Sequence, residues 1–351
     1  MAVYWTLAIL TVLINLFPAK TQKHYSVRLF VSLIPLFLFG ALRVDFGLDY
    51  GSYEDFFDSV KFYGFSAIDR MEIGYYFFNM LLPSFRSLLV LQTLLICIAY
   101  YYLFKWYVPA KYGWMGFVLL FLSGPFTIFF MFSGIRNSIA ISILILSTHF
   151  IHERKIIHFA GLIFIAYFFH NSVIFMAPIA YLVANNKQIT LKWIVVWVLV
   201  MMFLFVASST IVLNYIDLFI ANYFDRYITY VEQAKYLQKG AGLLSSSFTI
   251  LLSILLMLFF KNKRLSNKQS MIVKLSLIFL ISHLLGPLNM RMSQYFVSFF
   301  IVGSIIVMYW NINKFLKIAY FIAIFAYLIY SLIIWFNNPF FAYNTYKSIL
   351  F

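Results

Sequence analysis

The sequence has 351 residues, 64% hydrophobic and 11% charged, with mean hydropathy +0.91 and formal net charge +15. A soluble domain carries about 25% charged residues, so lipid must replace water as the solvent for most of this chain. Apolar runs of ~20 residues suit helices, whereas barrel strands would alternate, so a soluble enzyme and a β-barrel are both excluded.

The predicted fold is an all-α polytopic integral membrane protein, a single transmembrane domain over 1–351. The first ten residues lack the basic segment of a secretory signal peptide, and Lys20 and Lys23 come only after the first apolar run. That order puts the N-terminus outside. Hydropathy then gives twelve spans, near 3–18, 27–42, 87–105, 113–132, 137–151, 156–170, 172–184, 193–213, 245–260, 272–289, 293–310 and 317–336, with a further re-entrant or interfacial helix near 73–85. With both termini outside, the cytoplasmic loops hold sixteen bases, among them Lys20, Arg154, Lys261 and Lys274, against one acid, Glu153. The opposite face holds ten bases and ten acids, so the net charge lies on the cytoplasmic side. The basic excess therefore reports orientation and anionic lipid headgroups, and nucleic acid is not needed to explain it. The single cysteine, Cys97, lies in an apolar run, which rules out an internal disulfide and a cysteine-based metal site.

Two larger external loops follow from this topology, about 43–86 and 214–244. The first holds seven of the eleven carboxylates: Asp45, Asp49, Glu54, Asp55, Asp58, Asp69 and Glu72. Glu54, Asp55 and Asp58 read as solvated acids. Arg43 and Asp49 flank Gly47 at the end of the second span, so a base and an acid meet at the membrane surface. Glu72 opens an apolar segment, where it is either a partner of the helix dipole or part of a site.

Further along, Phe132-Ser133-Gly134-Ile135-Arg136-Asn137-Ser138 separates two spans by a short hinge. An arginine at that depth is costly unless it pairs, snorkels or binds an anion, and the amides opening the next helix favour a phosphate. His170 lies between spans six and seven, where a structural histidine is the commoner outcome. His24, His152 and His158 read as cytoplasmic surface residues, and His149 and His283 as buried helix residues. No histidine pair has metal-ligand spacing, so no metal is expected. Arg291 is a third arginine at an external boundary, with Arg43 and Arg136. Three guanidiniums at one face suit a diphosphate. Most of the abundant aromatics read as lipid-facing or interfacial-belt residues. Tyr50, Tyr53, Tyr75 and Tyr76 lie near these groups, where they either belong to that belt or stack on sugars, and Tyr50, Tyr53 and Tyr75 are the sugar-binding candidates.

The ordered set Arg43…Gly47-Leu48-Asp49-Tyr50…Tyr53, Glu72-Ile73-Gly74-Tyr75, Ile135-Arg136-Asn137-Ser138, His170-Asn171-Ser172…Pro178 and Arg291…Tyr295-Phe296 resembles the EpsG/Wzy-like bacterial polysaccharide polymerases. It departs from the family pattern at Leu48, where a small hydroxyl residue is common, and at Asn137, where glutamine is common. The resemblance implies a GT-C-like glycosyltransferase of the bacterial inner membrane, without metal or cofactor. Its substrates would be undecaprenyl-diphosphate-linked glycans, donor and acceptor, joined at the periplasmic face into O-antigen, capsule or exopolysaccharide. Its implied partners are membrane lipids, a flippase and a chain-length regulator.

For that reaction Arg136 and Arg291, helped by Arg43, are assigned to the leaving diphosphate. The base is Asp49, with Glu72 and His170 as rivals. The competing functions are a transporter or flippase of lipid-linked sugars, an O-antigen ligase or acyltransferase, and a non-enzymatic assembly protein. A transporter would concentrate its ionisable groups at the bilayer midplane, whereas here they gather at the outer boundary.

Overall fold

The computed structural model describes residues 2–66, 71–184, 195, 196, 199, 247–261, 265–284, 290–310, 312–337 and 346–349. The described chain is almost wholly helical, and four of its helices are long and apolar enough to cross a membrane: Gln22–Ala41, Phe85–Tyr107, Ile135–His152 and Lys314–Phe336. Of the predicted span 193–213 only residues 195, 196 and 199 are described, and the external loop 214–244 lies outside the described residues. The other predicted spans fall on helices.

The chain divides into two compact units, residues 1–182 with 332–351, and residues 183–331. The first unit opens with α1 (Ala2–Leu16) and α2 (Gln22–Ala41). Thr21 caps α2 by accepting from the His24 N–H at 3.1 Å. Helix α5 (Phe85–Tyr107) begins with a capping box between Ser84 and Ser87 and packs against both α2 and α8 (Ile135–His152). Polar side chains lie where helices meet: Asn15 bonds Ser32 between α1 and α2, and Gln92 and Thr93 of α5 are buried. Large apolar side chains such as Phe30, Leu38 and Phe164 face outward instead. Polar groups inside and apolar groups outside are what a lipid solvent selects.

The stretch predicted as one span over 113–132 is broken. Helix α6 (Gly113–Leu122) stops, a turn follows, and α7 (Ile128–Ser133) resumes. Pro125 in that turn has no N–H to continue the ladder. Hydroxyls take up the exposed acceptors: Thr127 Oγ1 donates to Leu120 O at 3.1 Å, and Tyr4 donates to Phe121 O. Gly134 then separates α7 from α8.

The acidic segment 43–86, expected as a loop apart from the helix near 73–85, is largely helical among its described residues. It forms α3 (Tyr50–Tyr63) and α4 (Ile73–Leu81), which pack on each other. Ahead of them, the short strand β1 (Arg43–Val44) pairs antiparallel with β2 (Lys347–Ser348). Helices α9 (Ile156–Tyr167) and α10 (Val173–Ala184) complete this part of the chain, with α9 against α8.

The second unit contains α11 (Ser247–Phe260), α12 (Asn267–Leu284) and α13 (Met290–Tyr309), and the division between units falls within α14 (Lys314–Asn337). Helices α12 and α13 touch closely at Gly303, where a Cβ would stand 2.0 Å from the Ser276 hydroxyl. Small residues at such a contact let two membrane helices approach. Lys274, counted among the cytoplasmic loop bases, lies within α12 and is fully buried. Its place in the orientation argument therefore falls away.

Candidate functional site

Three of the predicted residues converge. Glu72 is the N-cap of α4, Arg136 is the second residue of α8, and His170 lies in the turn between α9 and α10. One carboxylate oxygen of Glu72 accepts from the Arg136 guanidinium. The other lies 3.1 Å from His170 Nδ1 and accepts from the Asn171 N–H at 3.4 Å. The side chains are shielded without being sealed: 10% of Glu72, 16% of His170 and 23% of Arg136 remain exposed.

The backbone makes this convergence. Gly74 N–H donates to Phe168 O at 2.9 Å, so the first turn of α4 lies directly on the α9–α10 turn. A Cβ on Gly74 would stand 2.6 Å from Phe168 Cβ and 2.7 Å from its carbonyl oxygen. Only glycine fits that approach. His170 is held in its own turn, with its N–H donating to Ala166 O and its carbonyl accepting from the Val173 N–H.

Burial alone would raise the Glu72 pKa. The hydrogen bond with His170 and the positive charge of Arg136 outweigh it, and the carboxyl is held down at about 2. Glu72 is therefore a fixed anion with its charge already committed. Arg136 also sits over the Tyr53 ring, 5.9 Å from its centroid, a distance at which a cation is attracted to the ring face.

Arg43 lies elsewhere than expected. Its side chain is fully buried. Its guanidinium donates to Gln92 Oε1 at 2.6 Å, to Phe132 O at 3.2 Å and to Gly40 O, and rests 4.9 Å above the Phe132 ring. Gln92 in turn donates to Met131 O and to Ser138 Oγ, each at 2.7 Å. Arg43 thus braces the α7–α8 hinge from inside. A guanidinium with no accessible surface cannot meet a diphosphate, and its assignment to that role is corrected.

The tyrosines are corrected likewise. Tyr50, Tyr53 and Tyr75 are all buried. Tyr50 packs edge-on to Phe85 at 5.2 Å, and Tyr75 lies between Tyr53 and Phe56, each 5.7 Å away. Their rings pack α3 against its neighbours, leaving no open face for a sugar.

Asp49 is exposed at the N-cap of α3, and its N–H donates to Ser133 Oγ at 3.3 Å. Gly47, at φ +107°, packs on the same residue, where a Cβ would stand 2.9 Å from Ser133 Cα. The turn 45–49 therefore rests on the hinge that carries Arg136. The side chain of Arg291 lies outside the described residues. His149 is only partly buried: it bonds Glu153 at 3.0 Å and stacks on Trp106 at 4.5 Å.

Sequence reasoning missed Arg86 and Gln92. Arg86 donates to Ala41 O at 2.9 Å and Arg43 O at 2.7 Å, tying α5 to β1. Its signal was a lone base at the end of an acidic segment. Gln92 carried a weaker one, a polar pair with Thr93 inside an apolar run.

The EpsG family model matches residues 26–348. The chain belongs to the EpsG family. Glu72, Arg136 and His170 all fall inside the matched region of this EpsG protein, as do Arg43, Gln92 and the paired strands β1 and β2. No curated protein and no solved structure matches the chain.

Proposed function

We propose that this EpsG-family protein is a polysaccharide polymerase that joins glycan repeat units carried on undecaprenyl diphosphate, at the outer face of the bacterial inner membrane. The observation that carries this reading is the Arg136–Glu72–His170 cluster. Glycosyl transfer from a lipid diphosphate needs a cation for the leaving group and a base for the acceptor hydroxyl. Arg136 supplies the first, partly exposed and held in place by Glu72. A guanidinium meets a phosphate through two parallel hydrogen bonds, which fixes the leaving group as well as neutralising it. Arg291 is proposed as a second diphosphate contact, on its boundary position in the sequence alone. Membrane lipids surround the spans, and a flippase and a chain-length regulator are the proposed protein partners.

The test is Arg136→Ala and Arg136→Lys in a strain lacking its own copy, with glycan length read on a gel and protein level read by immunoblot. Both variants should leave single repeat units on their lipid carrier at the outer leaflet, with normal protein levels. A full-length polymer ladder from Arg136→Ala would sink the assignment. Repeat units trapped on the inner leaflet would identify a flippase instead.

A further inference from the structure

We propose that His170 is the catalytic base, taking the acceptor hydroxyl's proton through Nε2, and that Glu72 is the positioning residue that aims it. The proposal rests on the glycosyl-transfer reading and decides among the three candidate bases of that site.

Glu72 is removed from contention by its bonds. One carboxylate oxygen is taken by Arg136, the other by His170 Nδ1 and the Asn171 N–H. Its pKa, about 2, leaves little driving force for taking a sugar proton at neutral pH. Asp49 is exposed at the start of α3, and a carboxylate is in general a far weaker base than a neutral imidazole.

His170 has what the other two lack. Glu72 is ionised and can only accept, so the shared bond places the imidazole proton on Nδ1. The Nε2 lone pair is then the basic one. The ring cannot easily turn away, because the α9–α10 turn is pinned to α4 through Gly74 and Phe168. An oriented imidazole backed by a carboxylate is the arrangement that stabilises imidazolium as it forms. Charged groups reach the ring from two other elements, Glu72 of the α4 cap and, through it, Arg136 of α8.

In the proposed step the acceptor sugar's hydroxyl oxygen bonds to the anomeric carbon of the donor glycan, while its proton moves to His170 Nε2. The bond from that carbon to the diphosphate oxygen breaks, and its electron pair leaves with the polyprenyl diphosphate. Arg136 meets the leaving charge. The imidazolium, held by Glu72, then returns its proton to water.

The experiment uses the full chain in lipid nanodiscs. Its substrate is lipid-linked repeat unit extracted from the host strain lacking this gene, and polymer formation is measured from pH 5 to 9. His170→Ala should lower the rate by roughly 10²–10⁴-fold, with retention of the lipid-linked substrate unchanged. His170→Asn keeps a donor at the Nδ1 position and so preserves the fold, but it lacks Nε2 and should be equally slow. Added imidazole should restore part of the His170→Ala rate. Glu72→Gln should be less damaged, with its loss falling on kcat while KM for the lipid-linked substrate stays near the wild-type value. A His170→Asn protein that polymerises at the wild-type rate, with an unchanged pH profile, overturns the base assignment alone. A wild-type protein that forms no polymer while retaining the lipid-linked substrate overturns the glycosyl-transfer reading, and this assignment with it.

Discussion

Arg43 Nη2 donates to Gln92 Oε1 at 2.6 Å, joining β1 to α5 beneath the hinge that carries Arg136. Both residues are buried, and the bond continues through Gln92 to Met131 O and Ser138 Oγ. In a buried polar network, a member that loses its partner is costly. Removing Arg43 would leave Gln92 and the Phe132 carbonyl without their donor, at ~1.5–3 kcal/mol for each hydrogen bond to a charged group. Arg43→Ala should therefore lower the thermal unfolding temperature and the amount of protein in the membrane. An Arg43→Ala protein with wild-type melting and lost substrate retention would return Arg43 to the diphosphate site.

Gly74 is the point where α4 touches the α9–α10 turn. A methyl group there meets backbone and Cβ atoms of Phe168, neither of which can swing aside. Gly74→Ala should cost ~1–3 kcal/mol through overpacking. It should also separate His170 from Glu72, so polymer formation should fall further than stability does. Equal melting and full activity in Gly74→Ala would show that this contact does not position the histidine.

The low pKa of Glu72 makes a signed prediction about acid stability. Its folded value, about 2, lies below the ordinary 4.5, so ionisation of Glu72 favours the folded state. That contribution is complete above about pH 4.5 and fades as pH falls toward 2. Melting temperatures of wild type and Glu72→Gln should differ most above pH 5 and converge as the solution is acidified. A gap that widens on acidification would contradict the assignment of charge at Glu72.

The strand pairing offers a contrast between neighbours. Tyr346 stacks on Phe39 at 4.3 Å with 13° between the planes, and donates to Phe39 O at 2.9 Å. Lys347 pairs with Asp45 at 3.2 Å, where both side chains are more than half exposed. Exposed ion pairs contribute ~0–1 kcal/mol, whereas truncating a packed aromatic costs ~3–5 kcal/mol when fully buried and less here. Tyr346→Ala should lower the melting temperature measurably and Lys347→Ala should not.

Much of this architecture was legible in the chain. Apolar length marked the helices long enough to cross a membrane, because lipid tolerates little else over ~20 residues. Arg136, Glu72 and His170 each stood out as ionisable groups at span boundaries, where charge needs a reason. The break after Leu122 was overlooked although Pro125 announced it. Arg43 was misread because a base at a membrane boundary looks the same in sequence whether it faces solvent or the space between helices. Gln92 and Ser138, being neutral, left almost no trace.

The sequence by itself determined the solvent, the helical class and a short roster of groups with chemistry, since hydropathy and charge are local properties. Which of those groups meet was decided only by tertiary structure. Glu72 and His170 are ninety-eight residues apart and Glu72 and Arg136 sixty-four, yet they share one carboxylate. The cause is long-range packing: Gly74 allows α4 to rest on the turn after α9, and the bond between Arg43 and Gln92 sets the hinge before α8. Neither contact has a period or a local spacing, so neither could be read along the chain.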